Sequence, residues 1–209
     1  FLTFGRLFLI AASLYLYAAP VRARADYDNA GYRGFISSIT ALGIATTSIL
    51  AVVFILLPDD LLVAFFQLPK SLVVATVVTT PVTLPFFILL GVLQSESKAA
   101  SYTRWVIIQE ILITVVSVAF IVIPAAIDPS FDGAIGRIAG ILIVRSLAGL
   151  LTIRRLLNGT FYHPADWRYA LVYSLPIMPH ALANEVLANF DRVMIAQFYS
   201  QRESGIYSV

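Results

Sequence analysis

Residues 35–60 read FISSITALGIATTSILAVVFILLPDD. No charged side chain interrupts the run as far as Leu57, and its 23 residues are enough for a helix to cross a hydrocarbon layer about 30 Å thick. Pro58-Asp59-Asp60 ends it, because proline cannot continue a helix and two carboxylates resist burial in lipid. Comparable apolar blocks recur through the chain. Hydrophobic residues make up 59% of it and charged residues 12%, against about 45–50% and about 25% in ordinary soluble domains. That excess cannot be hidden in one water-soluble core, so the fold class is all-α, a polytopic transmembrane helix bundle.

Working outward from 35–57, spans are predicted at about 2–19, 71–93, 105–126, 133–157 and 169–190. The first is followed by Pro20 and a polar loop, 21–34. Residues 61–67 are apolar but too short to span, which suits an interfacial or re-entrant turn before Pro69-Lys70. Trp105 beside Arg104 is the kind of interfacial anchor that an amphipathic ring provides, and Asp128-Pro129 closes that span. A membrane barrel would need alternating segments of about ten residues, whereas 49–57 is continuously apolar. Phe1 in place of a methionine, and a fresh apolar run opening near 205, predict a piece of a longer chain.

The chain has no cysteine, so disulfides, thiolate metal sites and cysteine nucleophiles are excluded within it. A net charge of +2 and a pI near 9.0 are too mild to predict nucleic acid as a partner. The basic residues report orientation instead. Loops after the first, third and fifth spans carry Arg22, Arg24, Arg33, Lys98, Arg104, Arg154, Arg155 and Arg168, while those after the second and fourth carry only Lys70 and Arg137. The odd-numbered spans therefore end in the cytoplasm.

A charge at the centre of a membrane helix costs about 2.5–3.5 kcal/mol on insertion scales, so it should face a cavity or a partner. Arg145 stands in the middle of 133–157 and is the most expensive residue of all. It either lines a wet path for an anionic substrate or pairs with a carboxylate on another helix. Glu110, one turn inside Trp105, is more simply explained by snorkelling to the cytoplasmic surface. Arg6 lies in a first span of uncertain depth, and little rests on it.

The span 169–190 is unlike a lipid-facing helix. His180, Asn184 and Asp191 fall on one stripe, and Glu185 and Arg192 on another. Pro176 and Pro179 remove helix hydrogen bonds just before them, as do Pro81 and Pro85 in 71–93, where Thr76, Thr79, Thr80 and Thr83 are at hand for the freed carbonyls. These four prolines are the predicted hinges and the two stripes the predicted cavity lining, with kinked packing as the plainer alternative. Gly136 and Gly140, followed by Ala148 and Gly149, predict close helix contact. No metal site is expected, because His180 has as its only other histidine His163, in a loop near the cytoplasm, and no cysteine is available, and no Ser-His-Asp set can be traced. Asn158-Gly159-Thr160 matches a glycosylation acceptor by chance, its predicted side being cytoplasmic.

Tyr173-Ser-Leu-Pro-Ile-Met-Pro-His180, Asp191-Arg192-Val-Met-Ile-Ala and Ser204-Gly205-Ile-Tyr-Ser-Val209, in that order and spacing, resemble the start of the second half of bacterial O-antigen and polysaccharide flippases. Phe198-Tyr199-Ser200 departs from the family's usual glycine after a leucine. The specific part of the resemblance covers about a fifth of the chain, and residues 21–34 look like the segment between the family's second and third helices. The resemblance implies a multidrug/oligosaccharidyl-lipid/polysaccharide exporter: two six-helix lobes around a central cavity, working by alternating access in the bacterial inner membrane. Residues 1–157 would belong to the N-lobe, 158–168 to a cytoplasmic linker, and 169–209 to the start of the C-lobe. The implied substrate is an undecaprenyl diphosphate-linked oligosaccharide, moved between leaflets with a proton or sodium gradient as the coupling ion and no covalent chemistry or cofactor. Arg145, His180, Asn184, Glu185, Asp191 and Arg192 are the expected substrate pathway. A drug or metabolite antiporter would share the architecture. A membrane-embedded polymerase or acyltransferase would need a large outer loop or a catalytic histidine set.

Overall fold

The computed structural model describes residues 2–66, 69–128, 131, 133–157 and 161–198, with side chains at 3–62, 69–128, 131, 133–157 and 161–190. Among these, every regular element is helical and no strand occurs. The order is α1 (Leu2–Ala12), a single tight turn Leu16–Ala18, α2 (Ala19–Asp26), α3 (Asn29–Leu56), α4 (Asp59–Phe66), α5 (Lys70–Ser95), α6 (Ala99–Ile127), α7 (Gly133–Leu156) and α8 (Pro164–Phe198). Helices satisfy each backbone group within the segment, the condition that lipid imposes.

Four helices, α3, α5, α6 and α7, are long and apolar enough to cross a membrane. Their 24–29 residues correspond to roughly 36–44 Å, more than the hydrocarbon layer requires. Their outward surface is lipid-like. On α6, Ile107, Ile111, Val115 and Val122 are each 52–60% exposed, a stripe that water would not tolerate on a monomer. α8 is longer still, at 35 residues, but mixes too many polar groups into its frame to join these four.

Two segments differ from the sequence expectation. The segment 2–19 is not one straight span: α1 and the stretch that follows it form a pair bent by 75°. The bend rests on Leu14 and Tyr15, whose φ angles of 52° and 55° lie in the left-handed region that side-chain-bearing residues seldom enter. The loop expected at 21–34 is mostly helix. Pro20 sits in the first turn of α2, where its missing N–H costs nothing, and Arg22 pairs with Asp26 one turn on at 3.3 Å. Only Tyr27 and Asp28 interrupt, and the Asp28 side chain caps α3 by accepting from the Gly31 N–H at 2.8 Å.

The prolines do not interrupt their helices either. α5 runs through Pro81 and Pro85, and α8 through Pro176 and Pro179. In α5 the threonine hydroxyls do not serve the carbonyls that the prolines free, those of Val77 and Pro81. They donate to the carbonyls of Leu72, Ala75, Thr76 and Thr80 at 2.8–3.0 Å.

α7 is wedged between α6 and α5 by its glycines. A Cβ at Gly140 would fall 2.7 Å from the Ser117 Cα, one at Gly136 would collide with the Phe120 carbonyl, and one at Gly149 with the Val82 carbonyl. Backbones approach this closely only where side chains are absent, which is how helices pack in lipid. Gly149 lands between Pro81 and Pro85, so the stretch that two prolines weaken is clamped by a neighbour.

The two ends of the bundle differ in charge. Tyr27 donates to Asp166 at 3.0 Å, Tyr169 donates to Asp26, Trp167 donates from Nε1 to the Ser38 carbonyl at 3.1 Å, and Tyr32 shares a 2.7 Å hydrogen bond with Ser95. Arg155 stacks over Trp105 at 5.9 Å. These contacts gather the α2–α3, α5–α6 and α7–α8 connections, and hence most of the basic residues, at one end. At the other end Lys70 pairs with Asp59 at 2.6 Å. Burial, with the hydrogen bond to Asp166, pushes the Tyr27 phenol up to about 12.

Candidate functional site

One face of α7 repeats every four residues as Arg137, Ile141, Arg145. Across from it α6 presents Glu110, Thr114, Ser117 and Ile121 at helical spacing, and α1 contributes Arg6. Together they enclose a cavity of about 430 Å³. Among the described residues, three guanidinium groups therefore border one hollow together with one carboxylate, Arg6, Arg137 and Glu110 being exposed and Arg145 half-buried. Ser117 donates to the Arg137 carbonyl at 3.4 Å, and Thr114 to the Glu110 carbonyl at 2.9 Å, so both hydroxyls help fill the wall.

Arg145 is half-buried and lies on the boundary of two hollows. Among the described residues no carboxylate comes within 4.0 Å of it, so the direct ion pair that would explain it structurally is missing. Behind it a small pocket of about 40 Å³ is lined by Thr76, Thr79, Thr80 and Thr83 of α5 and reaches Phe87. Phe87 in turn borders a third cavity, of about 440 Å³, walled by Tyr15, Tyr17, Tyr102 and Tyr173. Shared residues thus link the three: Phe87 joins the tyrosine cavity to the threonine pocket, and Ile141 and Arg145 join that pocket to the arginine cavity. The series runs from the basic end of the bundle toward the other.

The residues of α8 divide. Glu185 points into the bundle and meets Arg6 at 3.5 Å, with its side chain only 15% exposed. Asn189, one turn further, donates to both the Glu185 carboxylate and its backbone carbonyl, at 2.9 and 2.8 Å. His180 and Asn184 bond to each other at 3.1 Å on the expected stripe but stay exposed, and they line none of the three cavities. The side chains of Asp191 and Arg192 lie outside the described residues.

Sequence reasoning missed Arg6, Glu110 and Arg137 as members of this site. The eight-residue spacing of Arg137 and Arg145, about two helical turns, was the available signal, but Arg137 stood close enough to a loop to be counted with it. Glu110 is itself exposed. It occupies the same hollow as the three arginines. Among the described residues no cluster of three histidine, aspartate or glutamate side chains is placed to hold a metal ion.

No curated protein and no solved structure matches the chain. A match does come from a family description, that of polysaccharide biosynthesis proteins, and it extends over residues 2–209. Nearly the whole chain is thereby covered, including the apolar helices, which make it a membrane protein. With a role in surface polysaccharide synthesis or export, the chain belongs to the polysaccharide biosynthesis protein family, which includes the O-antigen flippases.

Proposed function

We propose that the chain is part of a flippase that carries an undecaprenyl diphosphate-linked oligosaccharide from the cytoplasmic to the outer leaflet of a bacterial inner membrane. The observation that carries this reading is the series of cavities with shared walls that has Arg145 at a junction, with no carboxylate among the described residues within 4.0 Å of it. A diphosphate entering lipid must exchange its hydration for cations held in place, and the planar guanidinium fork matches phosphate oxygens two at a time. Arg6, Arg137 and Arg145 supply that chemistry, while Glu110 among them keeps the site from holding the anion too tightly to release it. Such a step needs no bond to be made or broken. Alternating access would expose the arginine cavity first to one side and then to the other, and the Arg6–Glu185 pair between α1 and α8 would be one contact to exchange. Glu110 and Glu185 are the carboxylates that a coupling proton or sodium ion would meet.

Complementation tests this reading. In the full-length protein, Arg145→Ala and Arg145→Lys are expected to reach the membrane at normal levels yet fail to restore surface polysaccharide in a flippase-deficient strain. The lysine keeps the charge but not the fork. Normal complementation by Arg145→Ala would remove this residue from the transport path.

A further inference from the structure

We infer that the tyrosine cavity is a binding site for a neutral sugar ring, separate from the arginine cavity that receives the anion. Four elements each bring a phenol to it: Tyr15 from the bend, Tyr17 from the tight turn after it, Tyr102 from α6 and Tyr173 from α8, with Phe87 and Gln94 from α5 completing the wall. Its volume of about 440 Å³ lies within the range of about 300–1,000 Å³ usual for small-molecule sites. Among the described residues no charged side chain lines it, in contrast to the three arginines and a glutamate of the other large cavity.

That lining selects a chemical class. A pyranose ring offers a face of polarised C–H bonds and a rim of hydroxyls. The electron-rich face of a tyrosine attracts the first, and phenol hydroxyls and the Gln94 amide can donate to and accept from the second. An alkyl chain would leave those polar groups without partners. A diphosphate would find no cation.

The backbone is bent to build this wall. Leu14 and Tyr15 both take left-handed φ angles, a conformation that side-chain-bearing residues hold only when their surroundings enforce it. The result sets the Tyr15 and Tyr17 rings edge to face at 4.7 Å, with Tyr17 6.0 Å from Phe87. Gly91 lets α5 come up against the Tyr17 carbonyl, where any Cβ would collide. The cavity also sits at the end where the basic connections gather, the cytoplasmic end by the orientation rule, where a lipid-linked sugar would first be met.

The inference rests on the flippase reading only for the origin of the sugar, so the two can fail separately. Full-length protein in lipid nanodiscs would be probed by saturation-transfer NMR with a methyl glycoside of N-acetylhexosamine, and in parallel with the same probe plus inorganic diphosphate. Transfer to protons on one face of the ring is expected in the wild type, at least fivefold weaker in Tyr102→Leu and in Tyr173→Leu, and undiminished by diphosphate. Tyr102→Phe keeps the ring and is expected to keep the signal, which guards against a general folding defect. Absence of transfer in the wild type, or equal transfer in both leucine variants, overturns the sugar site. Transfer that persists in a protein unable to complement a flippase-deficient strain would uphold the site and sink the flippase reading instead.

Discussion

Tyr27 illustrates how single residues hold the basic end together. Its phenol bonds the buried Asp166, which His163 approaches from the other side at 3.2 Å. Tyr27→Phe is expected to lose about 0.5–1.5 kcal/mol, the usual net worth of one partly buried hydrogen bond. A phenol whose pKa is raised on folding favours its neutral form in the folded state. Its contribution is therefore complete below its unfolded value of about 10 and is lost as pH rises through about 12. Thermal midpoints of wild type and Tyr27→Phe should accordingly differ by a constant amount up to pH 10 and converge above it. A gap that stays constant up to pH 12 would show that folding does not raise the phenol's pKa, and no gap at any pH would show that the hydroxyl contributes nothing. Arg145, by contrast, was legible without a structure, because a cation in an unbroken apolar run has no cheap explanation. Arg6, Glu110 and Arg137 were not, since residues near a helix end can always be assigned to the surface, and only packing shows that three helices turn them into one hollow.

At the level of elements, four of the six expected spans, 35–57, 71–93, 105–126 and 133–157, were readable from apolar length, whereas 2–19 is bent and α8, which holds 169–190, is too polar to join them, and the small residues of α7 announced close contact. Which helix each glycine would touch was not readable, because that depends on packing between segments far apart in sequence. Gly149→Ala places a methyl group against the Val82 carbonyl and is expected to cost roughly 1–3 kcal/mol as α7 is forced off α5. Gly34→Ala in α3, where nothing lies within 4 Å, should be neutral or stabilising by up to about 1 kcal/mol, since alanine is the better helix former. Unfolding in detergent, followed by circular dichroism, compares the two. Equal midpoints would mean that α7 is not wedged as described. The bend at Leu14–Tyr15 and the helix α2 escaped the sequence for different reasons. No glycine marked the bend, and the charges of α2 looked like a loop although Arg22 and Asp26 stand one turn apart. Nor did the prolines show that their helices continue through them, because what holds α5 together at Val82 comes from α7.

Across the whole molecule, apolar surface faces outward, most basic residues gather at one end, and three linked hollows run inward from that end past Arg145. The charge of the hollows changes along the way, from the uncharged tyrosine cavity to the arginine cavity, which suits a cargo with a neutral sugar part and an anionic diphosphate part. The measurement that bears most directly on this is leaflet exchange. Full-length protein would be reconstituted in liposomes containing an undecaprenyl diphosphate-linked saccharide with a fluorophore on the sugar, and a membrane-impermeant quencher added outside. In the wild type, quenching should proceed beyond the outer-leaflet half as inner-leaflet molecules emerge, and in Arg145→Ala that second phase should slow at least tenfold. Quenching that stops at half in the wild type, or a second phase equally fast in Arg145→Ala, would contradict the proposed path.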